Sequence, residues 1–384
     1  MGFAITRQLI TGVLLLALMP ATAVAVLIPD PPRVDATSYL LMDATSGQVL
    51  VEHNADNRLP PASLTKMMTA YITEYEIKQG NISLKDRVPV SVKAWRMGGS
   101  KMFIREGTEV VLEDLLRGVI VQSGNDASVA LAEYIAGSED SFADLMNQHA
   151  RRLGLSSSSF VNATGWPAEN HYVTARDMAI LARAIIVDFP ELYKLYSEKS
   201  FEYNNITQQN RNLLLWRDDR VDGLKTGHTE EAGYCLVASG VDEDMRLVTV
   251  VMGTDSEQAR ARESQKLLTY GFRFYETYRA YDSGDKLADV KVWLGETDAL
   301  RLGPADDLVL TIPRGSHEQL QAEMSVKPDI RAPIQEGESF GTVTISLDGK
   351  VLLEKPLVAL ESVAEGGFLS RLWDHIVLFF RGLF

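Results

Sequence analysis

Pro61-Ala62-Ser63-Leu64-Thr65-Lys66-Met67-Met68-Thr69 is the stretch around which the chain is organised. Pro60 and Pro61 suit the approach to a first helical turn. Behind them Leu64, Met67, Met68, Tyr71, Ile72 and Tyr75 recur at helical spacing, which predicts a buried helix. Ser63 and Lys66 are three positions apart and so share one side of that helix. The serine then sits near the positive end of the helix dipole with a lysine amine in reach, a way to activate a hydroxyl without histidine. Ser-x-x-Lys alone also describes many solvated helix faces, so the rest of the chain has to supply the partners.

On the N-terminal side of this stretch, Ser38–Asp43 and Gln48–Glu52 read as two strands around the turn Ala44-Thr45-Ser46-Gly47. On its C-terminal side, Ala94 to Ser100 is glycine-rich, either a mobile loop beside a cleft or an ordinary connection. Residues 110–160 read as helical, with apolar stripes broken at Gln122-Ser123-Gly124-Asn125-Asp126, where polar groups can be offered to a cleft. Thr174 is a candidate N-cap for a helix running to Val187, with Asp177 three residues on. Asp222 to His228 precedes two strand-like runs, Tyr234–Val241 and Arg246–Gly253. A long helix is expected over about Arg260–Tyr281, with Leu267, Leu268, Tyr270, Gly271, Phe274 and Tyr278 inward. Strands thus stand at both ends of this region and helices in the middle. The first strands must return to pair with the later ones, giving a mixed α/β (α+β) domain with an antiparallel sheet and a helical cluster.

The pattern changes near Asp282-Ser283-Gly284-Asp285. From Lys286 to Leu360 the chain is a series of short alternating runs: Ala288–Leu294, Asp307–Ile312, Gln319–Val326, Ser339–Leu347 and Val351–Leu357. That predicts a small all-β domain. It lacks any constellation of catalytic residue types, so a spacer or interaction role is expected. Phe368–Phe384 reads as an amphipathic helix, with Leu369, Leu372, Trp373, Ile376, Phe379, Phe380 and Leu383 opposite Ser370, Arg371, Asp374, His375 and Arg381. At ~1.5 Å per residue it is too short to span ~30 Å of hydrocarbon and should lie in a membrane interface. Gly366 and Gly367 suggest a hinge before it. The expected organisation is a signal peptide at 1–25, a catalytic domain at 26–282, a small β-rich domain at 283–365 and an amphipathic membrane anchor at 366–384.

The 384 residues carry a formal net charge of −14, which argues against nucleic acid as a partner. Cys235 is the only cysteine, so no internal disulfide can form and Cys-based metal clusters are excluded. The six histidines (53, 149, 171, 228, 317, 375) show no H-x-x-x-H spacing, so a zinc hydrolase is not expected, and neither metal nor cofactor is called for. In residues 1–25, Arg7 precedes the apolar run Leu9–Met19, and Ala21-Thr22-Ala23 or Ala23-Val24-Ala25 offers a small-residue cleavage site. The mature protein is therefore expected outside the cytoplasm.

Three short motifs follow one another: Ser63-Leu64-Thr65-Lys66, Ser123-Gly124-Asn125 and Lys225-Thr226-Gly227. Acyl transfer at Ser63 needs a base, and Lys66 serves only if part of it is neutral near pH 7. Burial and a neighbouring cation such as Lys225 would lower its pKa. Lys225 also supplies charge for a substrate carboxylate, and Thr226 adds a hydroxyl to it. Gly227 lets a substrate backbone approach the strand edge. Ser123 can relay a proton to a leaving amine, and Asn125 can bind a substrate amide. The backbone N–H groups of Ser63 and His228 are candidates for an oxyanion hole, with the His228 side chain lining the cleft. Cys235 reads as a small core residue.

In that order the trio is the set found in penicillin-binding proteins and, with variation, in class A β-lactamases. The chain from about Ser38 to Phe384 resembles the low-molecular-mass penicillin-binding proteins of the 5/6 type, the serine-type D-alanyl-D-alanine carboxypeptidases. The resemblance is carried by the stretch at Pro61–Thr69, by Ser123-Gly124-Asn125-Asp126-Ala127 and by Val221-Asp222-Gly223-Leu224-Lys225-Thr226-Gly227-His228-Thr229. Glu263–Phe272 and the Gly-Gly-Phe-Leu tail starting at Gly366 also match. It implies a transpeptidase-like catalytic domain with Ser63 as acylated serine, Lys66 as base, Ser123 and Asn125 as second serine and asparagine, and a carboxylate site at Lys225 and Thr226 assisted by Arg260. Arg211 lies in a matching run, Arg-Asn-Leu-Leu-Leu-Trp, but the segment between it and Lys225 is one residue shorter here, which leaves its role open. The implied substrates are peptidoglycan pentapeptide and β-lactams. The implied location is the periplasmic side of the inner membrane, held at the lipid surface by the C-terminal helix. Two rivals are weighed: a β-lactamase, disfavoured by the lack of a Glu-x-x-Leu-Asn run, and a non-catalytic wall-binding protein, disfavoured by the complete trio.

Overall fold

The structure is a computed structural model that describes residues 28–381. The signal-peptide expectation and residues 382–384 of the C-terminal helix lie outside the described residues.

Five antiparallel strands form the central sheet, in the order Val49–His53, Ser38–Asp43, Met245–Thr254, Gly233–Asp242, Val221–Thr229. The first strands do return to pair with the later ones, as the distribution of strand-like runs requires. Along Ser38–Asp43 the side chains alternate between faces. Leu40 and Met42 join the larger core with the helices, and Leu41 joins a second core beneath the opposite face. That second core is closed by the helix Glu257–Phe274, through Ala261, Leu267 and Leu268. Cys235 is fully buried in the larger core.

The helical cluster covers the other face of the sheet. A short 3-10 turn at Ala62–Thr65 runs into the helix Lys66–Lys78. Around it pack Asn125–Ala136, Glu139–Leu153 and Ala175–Asp188. Thr174 caps the last of these, its hydroxyl accepting from the Asp177 N–H at 3.1 Å. The break expected at Ser123 is real. Leu112–Arg117 is followed by one wide π turn at Gly118–Gln122, and Ser123 adopts φ 64°, a left-handed conformation unusual for a residue with a side chain.

One element differs from expectation. The helix ends at Phe274, and Tyr275–Tyr281 is a strand paired antiparallel with Leu308–Pro313. The run Tyr-Glu-Thr-Tyr-Arg-Ala-Tyr is rich in aromatic residues and suits a pleated, half-buried surface. Tyr278 therefore packs on the core of the β domain and not on the helix face. The expected boundary at 282/283 falls at the far end of this strand. The rest of that domain is a six-stranded sheet in the order Gln321–Val326, Ser339–Leu347, Lys350–Ala359, Ala299–Pro304, Ala288–Trp293, Ile330–Arg331. The strand Ala299–Pro304 is an addition to the runs read from the sequence, and it pairs with Ala288–Trp293 on one side and Lys350–Ala359 on the other.

Phe368–Arg381 is helical, and its apolar side chains are exposed: Phe368 by 73%, Leu369 by 79% and Trp373 by 66%. No helix among the described residues is long and apolar enough to cross a membrane. Of the two glycines expected to form a hinge, Gly367 stands in open space, whereas Gly366 fits closely. Its N–H donates to the Leu294 carbonyl at 2.8 Å, and a Cβ there would collide with the Gly295 carbonyl. Asp374 accepts from the Leu294 N–H at 2.6 Å, tying the helix to the β domain.

Candidate active site

The strand Val221–Thr229 is the sheet edge nearest the Ala62–Thr65 turn. Gly227, expected to make room for a substrate backbone, lines the cavity and also makes room for this turn: a Cβ there would lie 3.2 Å from the Pro61 carbonyl and 3.3 Å from Leu64 Cγ. On the other flank Gly165, at φ 83°, sits against the Ala62 carbonyl so closely that no side chain fits. Ala62 is itself left-handed at φ 46°. Such a conformation in an alanine persists only where the surroundings hold it, and it immediately precedes Ser63.

Lys66 is fully buried behind Ser63. Its Nζ donates to the Thr164 carbonyl at 2.5 Å and to Ser63 Oγ at 3.2 Å. Burial pulls its pKa down to about 7, helped by Arg211 and opposed by Asp126. Lys225 donates to Ser123 Oγ at 2.9 Å and to the Thr226 carbonyl at 3.1 Å. Burial pushes Lys225 well below its ordinary value too, followed by repulsion from Lys66, Arg211 and Arg260. The two amines are one coupled pair, and burial is the larger cause for both. Lys66 and Lys225 repel each other, as the sequence suggests, and Arg211 adds to the positive field on both.

Asn125 is held by the loop before it in space. Its Nδ2 donates to the Gly98 carbonyl at 2.8 Å and its N–H to the Ser100 carbonyl at 2.7 Å. The glycine-rich segment is thus an ordered wall. It is fastened further by Asp126, whose buried carboxylate accepts from the N–H groups of Met102, Phe103 and Ile104 at 2.9 to 3.3 Å. Asp126 stands inside a quoted motif, yet its task is invisible without the fold, since its partners are backbone groups.

The remaining wall comes from a loop that carries no recognisable motif. Asn162 Oδ1 accepts from the N–H groups of Thr164, Gly165 and Trp166 at 2.8 to 3.2 Å, shaping the turn that presents the Thr164 carbonyl to Lys66. His171 supports it from behind, hydrogen-bonded to Thr65 Oγ1 at 3.0 Å and to Asn162 Nδ2 at 3.2 Å. Burial and the nearby Lys66 hold His171 down at about 4, so it is neutral at pH 7.

Two adjoining cavities meet at Ser63. One, of about 540 Å³, is lined by Ser63, Ser100, Asn125, Thr164 to Pro167 and His228 to Glu230. The other, of about 350 Å³, is lined by Ser63, Ser123, Thr226, Gly227, His228, Glu257 and two arginines, Arg211 and Arg260. Arg260 is buried, donates Nη1 to the Gly227 carbonyl at 3.1 Å and lies over the Tyr234 ring. Its buried Nη2 has no hydrogen-bond partner among the described residues; Glu257 is 3.6 Å away. Arg211, left open by its sequence context, stands exposed at the mouth of the same cavity. The His228 ring stacks on Tyr234, with centroids 3.9 Å apart, and lines both cavities.

Residues 25–256 match the family model described as D-alanyl-D-alanine carboxypeptidase, peptidase family S11. The chain belongs to this family. Residues 275–365 match a second model, described as the C-terminal domain of penicillin-binding protein 5. Among curated relatives, the chain is 44% identical to D-alanyl-D-alanine carboxypeptidase DacC of Escherichia coli, over 99% of this chain and 98% of the relative. It is 43% identical to DacA of the same organism, over 99% and 96%. Among solved structures it resembles penicillin-binding protein 5 from Haemophilus influenzae, with a TM-score of 0.85 and 43% identity over 88% of this chain and 100% of that one. A more distant neighbour is penicillin-binding protein D2 of Listeria monocytogenes in its ampicillin-bound form, with a TM-score of 0.58 and 27% identity over 62% and 98%. The fold agrees: a penicillin-binding-type catalytic domain followed by a β domain and a C-terminal helix.

Proposed function

We propose that this protein is a serine-type D-alanyl-D-alanine carboxypeptidase that removes the terminal D-alanine of peptidoglycan pentapeptides through an acyl-enzyme on Ser63. The observation that carries the reading is the buried amine of Lys66, with a pKa near 7, 3.2 Å from Ser63 Oγ. A neutral amine gives one N–H to the Thr164 carbonyl and keeps its lone pair for the Ser63 hydroxyl. As Ser63 Oγ attacks the penultimate D-alanine carbonyl, its proton passes to Lys66 Nζ.

The developing oxyanion takes hydrogen bonds from two N–H groups. Ser63 lies in the first turn of its helix, where N–H groups have no intrahelical acceptor. His228 is on an edge strand, and Thr226, two positions earlier, already turns its carbonyl away from the sheet toward Lys225. The same parity turns the His228 N–H toward the cleft. The leaving amine receives its proton from Ser123 Oγ, which Lys225 holds at 2.9 Å. The substrate carboxylate fits the cavity of Arg260, Arg211 and Thr226, and its charge favours the protonated form of Lys225. Asn125 binds the substrate amide. The proton that Ser123 gives up is replaced by the one Lys66 took from Ser63, passed on through the Lys225–Ser123 contact, which leaves Lys66 neutral. Water then hydrolyses the ester, with the neutral Lys66 again as base. β-Lactams acylate the same serine.

The enzyme works on the periplasmic side of the inner membrane after loss of its signal peptide. The exposed Phe368, Leu369, Trp373, Phe379 and Phe380 favour a helix lying in the lipid interface. The β domain lifts the catalytic cavity toward the cell wall. Incubation with diacetyl-Lys-D-Ala-D-Ala tests the activity. The intact enzyme should release D-alanine and take up labelled penicillin, and Ser63→Ala should do neither, losing about 10⁴-fold or more. Rapid penicillin turnover without D-alanine release would favour a β-lactamase instead. Truncation at Gly366 should free the protein from the membrane fraction with its activity intact.

A further inference from the structure

The two cavities that meet at Ser63 differ in charge. The one with Thr226 carries Arg211 and Arg260, which Glu257, 3.6 Å from Arg260, offsets only in part. The other has no lysine or arginine in its lining and a single carboxylate, Glu230. Glu230 is exposed and, among the described residues, has no hydrogen-bond or ion-pair partner. It sits in the tight turn between the edge strand Val221–Thr229 and its neighbour Gly233–Asp242, beyond His228. The same cavity is also lined by Trp166, 50% exposed, whose backbone N–H is held by the Asn162 turn.

This inference rests on the carboxypeptidase reading. If the terminal carboxylate lies at the arginines and the scissile carbonyl at Ser63, the acyl part of the substrate has to leave through the Glu230 cavity. We propose that Glu230 is a specificity-determining residue, taking the ammonium group of an amine-bearing side chain on the residue that precedes D-Ala-D-Ala. Trp166 provides the apolar wall along which the methylenes of that side chain lie. The cleft is then polarised end to end. A stem peptide with a carboxylate at one end and an amine on its third residue matches it in one direction only.

The test compares Nα-acetyl-Lys-D-Ala-D-Ala, with a free side-chain amine, with its Nα,Nε-diacetyl counterpart at pH 7.5. The ratio of their kcat/KM values should favour the free amine by about two- to five-fold, the size of a solvent-exposed ion pair. It should shrink in high salt. Glu230→Gln should bring the ratio to about one and Glu230→Lys should invert it, whereas Glu231→Gln, one residue along the same turn, should leave it as it was. Equal use of both peptides by the unaltered enzyme, or a preference that survives in Glu230→Gln, overturns the assignment. Absence of D-alanine release from both peptides overturns the carboxypeptidase reading, and this inference with it.

Discussion

At the junction of the two domains the buried Asp43 carboxylate accepts four hydrogen bonds, whereas in the catalytic cavity the buried cations are left short of partners. Asp43 Oδ2 takes Thr277 Oγ1 and Thr311 Oγ1, each at 2.7 Å, and Oδ1 takes the N–H groups of Thr45 and Ser46 at 2.8 and 3.4 Å. Thr277 and Thr311 are cross-strand partners, so one carboxylate at the end of the central sheet grips both strands of the pair that begins the β domain. Arg314 adds a bond to the Phe272 carbonyl at 2.9 Å. In the cavity, Lys66, Lys225, Arg211 and Arg260 stand together, and the buried Arg260 Nη2 has no hydrogen bond among the described residues, with Glu257 3.6 Å away. A satisfied buried group holds an orientation. An unsatisfied one keeps its affinity for something that has yet to arrive.

Removing the base in the cavity should give the largest effect. Lys66→Arg keeps the charge but cannot become neutral, and acylation should fall by about 10²–10⁴-fold, measured with labelled penicillin. In the unaltered enzyme the neutral amine is the active form, so acylation should rise with pH through about 7 and be lost below it. A flat profile from pH 5 to 9 would break the contrast.

Beneath the cavity lies a second unsatisfied group, on the same helix as Lys66. Glu74 is fully buried, Tyr196 donates to its Oε1 at 2.9 Å, and Oε2 has no partner among the described residues. Burial raises its pKa to about 8. The folded pKa lies above the ordinary value of 4.5, so Glu74's contribution to stability is fully present below about 4.5 and is lost as pH rises through about 8. Glu74→Gln should therefore melt like the parent at pH 4 and exceed it at pH 8.5 by about 2–4 kcal/mol. Equal melting at both pH values would show that Oε2 is satisfied in solution.

The junction should respond in the opposite sense. Asp43→Ala takes the carboxylate from the half-buried Thr277 and leaves the buried Thr311 with Ser46 Oγ alone, and should lower stability by about 1–3 kcal/mol, read by denaturant unfolding. Acylation per folded molecule should stay within about two-fold, because no catalytic group touches Asp43. The smallest effect is expected at the cavity mouth. Arg211→Ala removes one cation that depresses Lys66, so the midpoint of the acylation profile should move to higher pH. Arg211 is exposed, and the move should be only a few tenths of a unit.

Much of the site was legible because its chemistry lies in side chains at short spacings. Ser63 with Lys66, Ser123 with Asn125, and Lys225 with Thr226 each announce themselves. What escaped is contributed by backbone or by negative space. Thr164 acts through its carbonyl, which every residue has. Gly165 and Gly227 act by lacking a Cβ beside the Ser63 turn, and a sequence does not say what would fill the gap. The helix over Arg260–Tyr281 was overextended for a related reason. Seven of its residues satisfy a helical stripe and a strand alternation alike, and the pairing with Leu308–Pro313 chose between them.

Residue types and their periodicity determined the antiparallel sheet, the helical cluster and the β domain, and marked Ser63, Lys66 and Ser123 as the candidate nucleophile, base and relay, since all of these depend on local spacing. The tertiary structure alone decided that Arg211 joins Lys225 in the positive field on Lys66, that the 98–104 loop is pinned by Asp126, and that the cleft has a basic end and an acidic end. Each of these depends on groups far apart in the chain, and only folding sets the burial and distance on which their electrostatics turn.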